Sequence, residues 1–200
     1  MTVSRSTPRL RLTALLLLGM LALVATSQRT LATGLAGLLL QLGGLACIAC
    51  AALGRVWSSV FIAGYKDTQL VRNGPYAMLR HPLYALSLLA MLGAGLTTRS
   101  AALTVALLAA FAMIYARAAR EEDGFLRSAH GAAFDRYARA VNAFWPRWSA
   151  HLVPEALEVR PRVLSKAFLD AGTLLGYWVL LVLADALQRS SVTPTWVTLP

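Results

Sequence analysis

The sequence predicts an all-α integral membrane protein with about five transmembrane helices. Of its 200 residues, 58% are hydrophobic and only 14% are charged, and the mean hydropathy is +0.59. Soluble domains are less apolar, at about 45–50%. Five apolar stretches approach the roughly 20 residues that a helix needs to cross a bilayer. They are residues 12–26, 31–53, 83–97, 101–116 and 167–187.

The distribution of basic residues predicts the orientation of these spans. If the N-terminus is cytoplasmic and the spans alternate, all 19 Lys and Arg residues except Arg29, Arg99 and Arg189 lie on the cytoplasmic side. This asymmetry is what the positive-inside rule requires. The net charge of +10 does not indicate nucleic acid as a partner, because the basic residues lie in loops between apolar runs. We therefore expect a protein of the bacterial inner membrane whose functional residues face the cytoplasm.

The first two spans each carry a feature with an alternative interpretation. Residues 5–27 have the basic start, apolar centre and small-residue end of a secretory signal. A second apolar span follows at once, which favours a retained helix. Cys47 and Cys50 lie two residues apart in the second span, without polar neighbours or a second pair. We interpret them as packing residues, and no metal site is expected.

Spans three and four form the central feature of the predicted fold, a tight helical hairpin. The short polar connection at residues 97–100 joins them. Since both arms return to the same membrane face, His81 and Glu121 are predicted to be close neighbours. Pro82 suits the first turn of a helix that His81 caps. Residues 125–148 are predicted to form a surface helix that covers this face and ends at Pro146.

Polar groups are concentrated at the two ends of this hairpin. Ionisable side chains at the edge of a bilayer are costly and indicate a functional site. The motifs are Gly74-Pro75-Tyr76, Arg80-His81-Pro82-Leu83-Tyr84, Glu121-Glu122 and then His130-Gly131, Phe134, Tyr137, Val141 and Pro146. Together and in this order they resemble the isoprenylcysteine carboxyl methyltransferase family, in the wider group that includes phospholipid N-methyltransferases. The resemblance covers residues 70–148, and 55–69 weakly.

The resemblance implies one membrane domain with three parts. Residues 1–54 would be N-terminal transmembrane helices, 55–150 a methyltransferase-like core, and 151–200 an extra C-terminal helix and tail. Members of the family transfer a methyl group from S-adenosylmethionine to a lipidic acceptor. The residues that the resemblance assigns to the cofactor are Gln69, Leu70, Val71, Tyr76, His81, Pro82, Leu83, Tyr84 and Glu122.

The chemistry of S-adenosylmethionine suits these side chains. Its sulfonium and α-ammonium groups are attracted to carboxylates and to aromatic faces such as those of Tyr76 and Tyr84. Both Glu121 and Glu122 are candidates for cofactor binding. Consecutive helical residues point about 100° apart, so we expect one glutamate to face the cofactor and the other to pair with Arg117.

The acceptor is the least defined part of the prediction. A carboxylate is already ionised and needs only an arginine to orient it, for which Arg80, Arg117 and Arg120 are the candidates. An amine would have to lose a proton to His81 or a glutamate, and no dedicated base is evident. The sequence therefore favours a carboxylate, while prenylated cysteine, an isoprenoid acid, a phospholipid amine and a small thiol all remain open.

Two departures from the family pattern bear on the acceptor. Ala118 stands where an ungapped comparison places the family's substrate arginine, and Leu86 stands where the family usually has glycine. Leucine at this position is expected to narrow the space beside the cofactor. These departures also keep open a non-catalytic membrane scaffold.

A reductase and the last span complete the alternatives. Membrane sterol-type reductases share a related Arg-His-Pro-x-Tyr element, but they usually carry Asn where Leu83 stands, and paired glutamates disfavour the phosphates of NADPH. The span at residues 167–187 lies outside the resemblance and is a candidate tunnel wall or oligomer contact. Its Asp170 and Asp185 are expected to stay hydrated at the two interfaces.

Overall fold

The computed structural model describes residues 6–29, 34–62, 69–147, 157, 159–190 and 197–199. Its helices are α1 (Ser6–Thr26), α2 (Gly34–Ile62), α3 (Pro75–Met78), α4 (Pro82–Thr98), α5 (Ala101–His130), α6 (Ala132–Ala140) and α7 (Pro161–Arg189). The predicted all-α fold class is confirmed. The sequence did not predict a short parallel pairing of β1 (Ser27–Arg29) with β2 (Val197–Leu199).

The apolar helices have the lengths that a membrane protein requires. Helices α2, α5 and α7 are each long and apolar enough to cross a bilayer, while α1 and α4 contain shorter apolar stretches at Thr13–Thr26 and Pro82–Thr98. Large apolar side chains such as Leu35, Leu53 and Leu169 project outwards from the bundle. A face of this kind is stable against lipid and not against water. The prediction of an integral membrane protein is therefore confirmed.

Side-chain contacts between helices show that the long helices alternate in direction. Arg55, near the end of α2, bonds to Asp170, near the start of α7. At the other end of the bundle, Asp185 of α7 accepts from Gln41 of α2 and pairs with Arg99, just after α4. Since β1 follows α1 directly and pairs with β2, which comes after α7, α1 and α7 end on the same side. The start of α1 therefore lies on the side where α4 begins and α5 ends.

Helices α2 and α4 approach each other closely at a pair of glycines. A methyl group added at Gly44 would lie 2.6 Å from the carbonyl oxygen of Gly93, and one at Gly93 would lie 2.5 Å from the carbonyl oxygen of Gly44. Small residues permit such contact between membrane helices. The core continues from this contact to all five long helices. Its buried members are Met20, Val24, Ile48, Ala51, Ala90, Met91, Ala94, Leu107, Phe111, Leu181 and Ala184.

The hairpin turn between α4 and α5 depends on a buried charge. Arg99 adopts the left-handed conformation, with φ of 57°, which usually favours glycine. Its side chain is buried and pairs with Asp185 of α7. Ser100 then caps α5 by accepting a hydrogen bond from the Leu103 N–H at 3.3 Å. The ion pair compensates for the unfavourable conformation of Arg99 and joins the hairpin to α7.

The expectation that Asp170 and Asp185 both stay hydrated is wrong for Asp185. This residue is only 6% exposed, and its carboxylate also receives bonds from Arg189 and from Gln41. It is buried because Arg99 brings a counter-charge into the same space. Asp170 remains partly exposed and pairs with Arg55. Helix α7 is thus attached to the bundle near both of its ends.

The glycine contact generates a prediction with a matched control. The change Gly44→Ala should lower the apparent melting temperature of the detergent-solubilised protein, because overpacking against backbone costs about 1–3 kcal/mol. The adjacent change Gly43→Ala adds a methyl group with nothing within 4 Å. It should be neutral or slightly stabilising, since alanine favours helices over glycine by about 1 kcal/mol. Equal losses in the two variants would contradict the close contact.

Candidate active site

His81 lies between two carboxylates that come from the other arm of the hairpin. Its Nε2 is 3.0 Å from Oδ1 of Asp123, and its Nδ1 is 3.6 Å from Oε2 of Glu122. The imidazole side chain is only 2% exposed. The predicted meeting of the two hairpin ends is therefore confirmed. His81 occupies the N-cap position of α4 as expected, but its side chain makes no capping hydrogen bond and turns to Asp123 instead.

The two glutamates face different surroundings, as their 100° separation predicts. Glu121 points outwards and pairs with Arg117, whose Nε lies 3.1 Å from Oε1. Arg117 is 80% exposed in its side chain, and Arg120 is also exposed. Neither arginine is brought to His81. Glu122 is the glutamate that faces the imidazole.

Arg80 is the one of the three candidate arginines that lies at the hairpin ends. Its NH2 atom is 3.5 Å from Oδ2 of Asp123, and its side chain is 16% exposed. Its Nε is buried and makes no hydrogen bond within the described residues. Ala118, at the family's arginine position, is buried. Arg80 is therefore the guanidinium with a donor still available at this site.

Asp123 is a site residue that the sequence reasoning missed. It follows directly after Glu121-Glu122, so three consecutive acids were visible in the sequence. The family pattern directs attention to the pair of glutamates. At about 100° per residue, Glu122 and Asp123 lie on adjacent faces of α5 and reach the two nitrogens of one ring. The acidic run was the available signal.

Aromatic rings continue from His81 towards the bundle interior. The centroids of His81 and Tyr84 lie 5.6 Å apart, those of Tyr84 and Tyr115 5.4 Å apart, and those of Tyr115 and Phe111 5.7 Å apart. The first two pairs are stacked, with interplanar angles of 24° and 17°. Tyr115 was not predicted. It comes from α5 and meets Tyr84 of α4 because the two arms pack side by side.

The prediction of one surface helix over residues 125–148 is wrong in its bounds. Helix α5 continues to His130, Gly131 breaks it with φ of 49°, and α6 ends at Ala140. The chain then passes without helix or strand along the start of α4 as a strap, residues 142–147. Arg80 N–H donates to the carbonyl of Asn142 at 2.9 Å, and His81 N–H donates to that of Ala143 at 3.2 Å.

The strap provides hydrogen-bond acceptors at the start of α4 and covers part of the site. Amide groups at a helix start have no partner within the helix, and those of Arg80 and His81 bond to carbonyls of the strap. Phe144 of the strap lies over His81, with centroids 5.9 Å apart. The strap therefore covers the imidazole and contributes to its burial.

Tyr76 supplies a buried hydroxyl beside the carboxylates. Its carbonyl accepts a hydrogen bond from the Tyr137 hydroxyl at 2.7 Å, whereas its own hydroxyl has no partner within the described residues. Burial, and then the nearby negative charge of Glu122, raise the pKa of Tyr76 above its usual range. Burial likewise raises the pKa of Tyr137. Tyr76 is therefore a neutral donor at physiological pH.

The turn before α3 fixes where Tyr76 lies. Gly74 has φ of 58°, and a methyl group added there would lie 2.4 Å from the Phe61 ring. Only glycine satisfies both conditions. Gly74 thus allows α3 to pack against α2 and to present Tyr76 to the interior.

The remaining predicted residues differ in burial and in contacts. Leu70 packs against the cluster of Phe134, Tyr137 and Val141, while Gln69 is exposed, Val71 half-buried and Pro82 buried. The carbonyl of Leu83 accepts a hydrogen bond from NH1 of Arg55 at 3.3 Å.

Leu86 of α4 packs against Gly54 of α2, and its expected narrowing of the space beside the cofactor stays a prediction. A methyl group added at Gly54 of α2 would lie 2.6 Å from a Leu86 methyl carbon. Leu86 therefore fills the space that Gly54 leaves on α2. The small residue that the family usually places on one helix is here on its neighbour.

Comparison with known sequences agrees with this arrangement. The sequence model described as phospholipid methyltransferase matches residues 29–133, more than half of the chain. The chain belongs to the phospholipid methyltransferase family. The match includes both ends of the hairpin and excludes α7. No solved structure matches the chain.

Two curated relatives cover most of the chain. The cobalt-zinc-cadmium resistance protein CzcN of Cupriavidus metallidurans is 38% identical over 167 residues, which is 84% of this chain and 76% of the relative. The nickel-cobalt-cadmium resistance protein NccN of Alcaligenes xylosoxydans xylosoxydans is 33% identical over 181 residues, 90% of this chain and 84% of the relative. Within the residues that the structure describes, no group of three or more His, Cys, Asp or Glu side chains is arranged to hold a metal ion.

Proposed function

We propose that this protein transfers a methyl group from S-adenosylmethionine to a lipidic or small amphipathic acceptor. The observation that carries the proposal is the contact of His81 with Glu122 and Asp123 across the hairpin, in a chain of a methyltransferase family. This contact brings together two motifs that lie about forty residues apart. It also concentrates negative charge where a cation would bind.

The side chains at the hairpin ends fit this cofactor. Glu122 and Asp123 offer negative charge to its sulfonium and α-ammonium groups, while Tyr84 stacks on His81 and Tyr115 and holds the imidazole in place. The Tyr76 hydroxyl, which has no hydrogen-bond partner in the described part of the chain, offers a donor. When bound, the cofactor supplies an electrophilic methyl group. The full set that we propose for binding is Gln69, Leu70, Val71, Tyr76, His81, Pro82, Leu83, Tyr84 and Glu122.

The protein itself positions the methyl donor and the acceptor and excludes water from them. Methyl transfer is an in-line displacement whose rate depends on holding donor and acceptor in line in a dry site. Phe144 of the strap covers the His81 ring. On the side towards the bundle interior, the rings of Tyr84 and Tyr115 stack on each other. We assign orientation of the acceptor to Arg80, whose buried Nε has no hydrogen bond within the described residues. A carboxylate acceptor is the group that this donor suits best.

The proposed site faces the cytoplasm of a bacterial cell. It lies on the same side of the bundle as the start of α1, and nearly all basic residues fall on that side in the alternating topology. S-adenosylmethionine is made and used in the cytoplasm. Reduction by NADPH is the weaker proposal, because the carboxylates of Glu122 and Asp123 would repel its phosphates.

Replacement of one glutamate at a time tests the cofactor site. We expect Glu122→Gln to weaken the binding of S-adenosylhomocysteine by about 10-fold or more, because a hydrogen-bonded charge contributes about 1.5–3 kcal/mol. The neighbouring Glu121 points outwards and pairs with Arg117. Glu121→Gln should therefore change the affinity for S-adenosylhomocysteine by less than about 3-fold. Calorimetry on the detergent-solubilised protein measures both. Equal affinities of wild type and Glu122→Gln would contradict the assignment.

Chemical stability of the product tests the acceptor. A lipid extract incubated with the protein and isotopically labelled S-adenosylmethionine should yield a labelled lipid by mass spectrometry. If the acceptor is a carboxylate, mild alkali should release the label, because methyl esters hydrolyse while N-methyl and S-methyl groups do not. A label that resists alkali would rule out a carboxylate. Thermal stabilisation by NADPH and not by S-adenosylhomocysteine would instead favour reduction.

The names of the relatives suggest a physiological setting. Both are named for metal resistance, and we propose that this chain contributes to tolerance of cobalt and cadmium by methylating its acceptor. Deletion in a host that carries the protein should then lower the metal concentration that stops growth. Wild type should restore growth, and so should Glu121→Gln. If Glu122→Gln restored growth fully, metal resistance would not depend on methyl transfer, and the proposed link between the two would be contradicted.

A further inference from the structure

We propose that the start of α7 binds a phospholipid with an anionic head group, whose phosphate lies against Arg162 and Lys166 and whose acyl chain lies in the neighbouring groove. The helix is outside the family match, which ends at residue 133. The lipid site also shares no residue with the proposed active site. The inference therefore does not rest on the proposed function.

The groove lies on the outward face of α7, near the start of the helix. Its volume is about 700 Å³, and it is lined by Ser165, Phe168, Leu169, Gly172 and Thr173. All of these residues are exposed, so in a membrane the groove opens to the acyl chains of the bilayer. Gly172 keeps the groove open, because a methyl group added there would meet nothing within 4 Å in the described part of the chain.

Two basic residues precede the groove on the same side of α7. Arg162 and Lys166 are both exposed. Since consecutive helical residues are rotated by about 100°, positions 162, 166, 169 and 173 lie along one side of the helix. The groove residues Leu169 and Thr173 are thus in line with the two basic side chains.

The depths of these residues match the order of groups in a phospholipid. Lys166 comes immediately before the apolar span of residues 167–187, which places it at the edge of the hydrocarbon layer. Arg162 lies about 6 Å further towards the head groups, at 1.5 Å per residue. Leu169 and Gly172 lie about 5–9 Å on the other side, among the acyl chains. A charged head and an apolar chain of one lipid can therefore contact both parts of the site.

The charge at this end of α7 favours an anionic lipid over a neutral one. Arg160, at the N-cap of the helix, adds a third exposed basic residue. Asp170 is the nearest acid in the described part of this segment, and it bonds to Arg55 of α2. The start of α7 lies on the side that the basic residues assign to the cytoplasm. Basic sites on that side of membrane helices bind anionic head groups.

A second copy of the chain is the competing occupant of this face. Gly172 and Gly176 are four residues apart, a spacing that lets membrane helices approach each other closely. A two-fold contact would bring the same patch of both copies together, including Arg162 and Lys166 of each. Like charges at the same depth oppose this contact, whereas an anionic lipid neutralises them. The charge pattern therefore favours the lipid.

Native mass spectrometry of the detergent-solubilised protein tests the head-group contact. Phosphatidylglycerol should bind at least about 10-fold more tightly than phosphatidylcholine with the same acyl chains. Combining Arg162→Gln with Lys166→Gln should weaken phosphatidylglycerol binding by about 10- to 30-fold, since each basic residue near an anionic surface contributes about 5-fold. The matched control combines Arg136→Gln with Arg139→Gln, two exposed residues of α6. It removes the same charge and should change the affinity by less than about 3-fold.

Two glycines of α7 test the acyl-chain contact. Gly172→Leu fills the groove and should weaken phosphatidylglycerol binding by about 5-fold or more. Gly176 is one turn further along, is not among the lining residues, and likewise has open space beside it. Gly176→Leu should therefore change the affinity by less than about 2-fold. The glycine and the charge variants are independent, so either pair decides the question if the other does not fold.

Three results would overturn the lipid site. The first is equal affinity of the wild type for phosphatidylglycerol and phosphatidylcholine. The second is an equal loss in a variant and its matched control. The third is a dimer in the spectra that both Gly172→Leu and Gly176→Leu dissociate, which would assign this face to a second copy of the chain. Binding of S-adenosylhomocysteine, measured on the same variants, reports separately on the proposed function.

Discussion

The contact between His81 and the carboxylates of α5 is the interaction on which the site depends. It forms because a turn at Arg99 returns α5 along α4, so that residues about forty positions apart meet at the opposite end. Burying an imidazole beside two carboxylates is costly unless each charge has a partner. Here Arg80 supplies a counter-charge to Asp123, and the strap holds the backbone of Arg80 and His81 by accepting hydrogen bonds from their amides. Removal of any of these groups would leave the others unsatisfied in a dry environment.

The sequence was sufficient to predict the features that follow from local chemistry. Apolar length predicted the long helices, and the short polar link predicted the hairpin and hence the meeting of His81 with the acidic run. The angular separation of consecutive helical residues predicted that one glutamate would turn outwards to Arg117. Each of these predictions uses only distances along the chain. They hold because the membrane leaves a helix few alternatives.

The features that were missed all depend on contacts between distant segments. Nothing in the sequence near Asp185 shows that Arg99 would enter the same buried space. The space beside Leu86 is filled against Gly54 on another helix, which comparison with the family at one position does not show. The strap bonds to the amides of Arg80 and His81 at the start of α4, a contact between distant segments that neither segment shows by itself. Asp123 was missed because the family pattern includes only the two glutamates, Glu121 and Glu122.

Helix α7 connects the region outside the family match to the site. Asp170 bonds to Arg55, and the same guanidinium donates to the carbonyl of Leu83 and to Ser87 in the first turns of α4. A charge on α7 thereby orients a group on α2, which in turn holds the helix that begins at His81. At its other end, Asp185 holds the hairpin turn through Arg99. Since α7 is tied to both ends of α4, it helps to fix the helix that begins at His81, although α7 contributes no residue to the proposed active site.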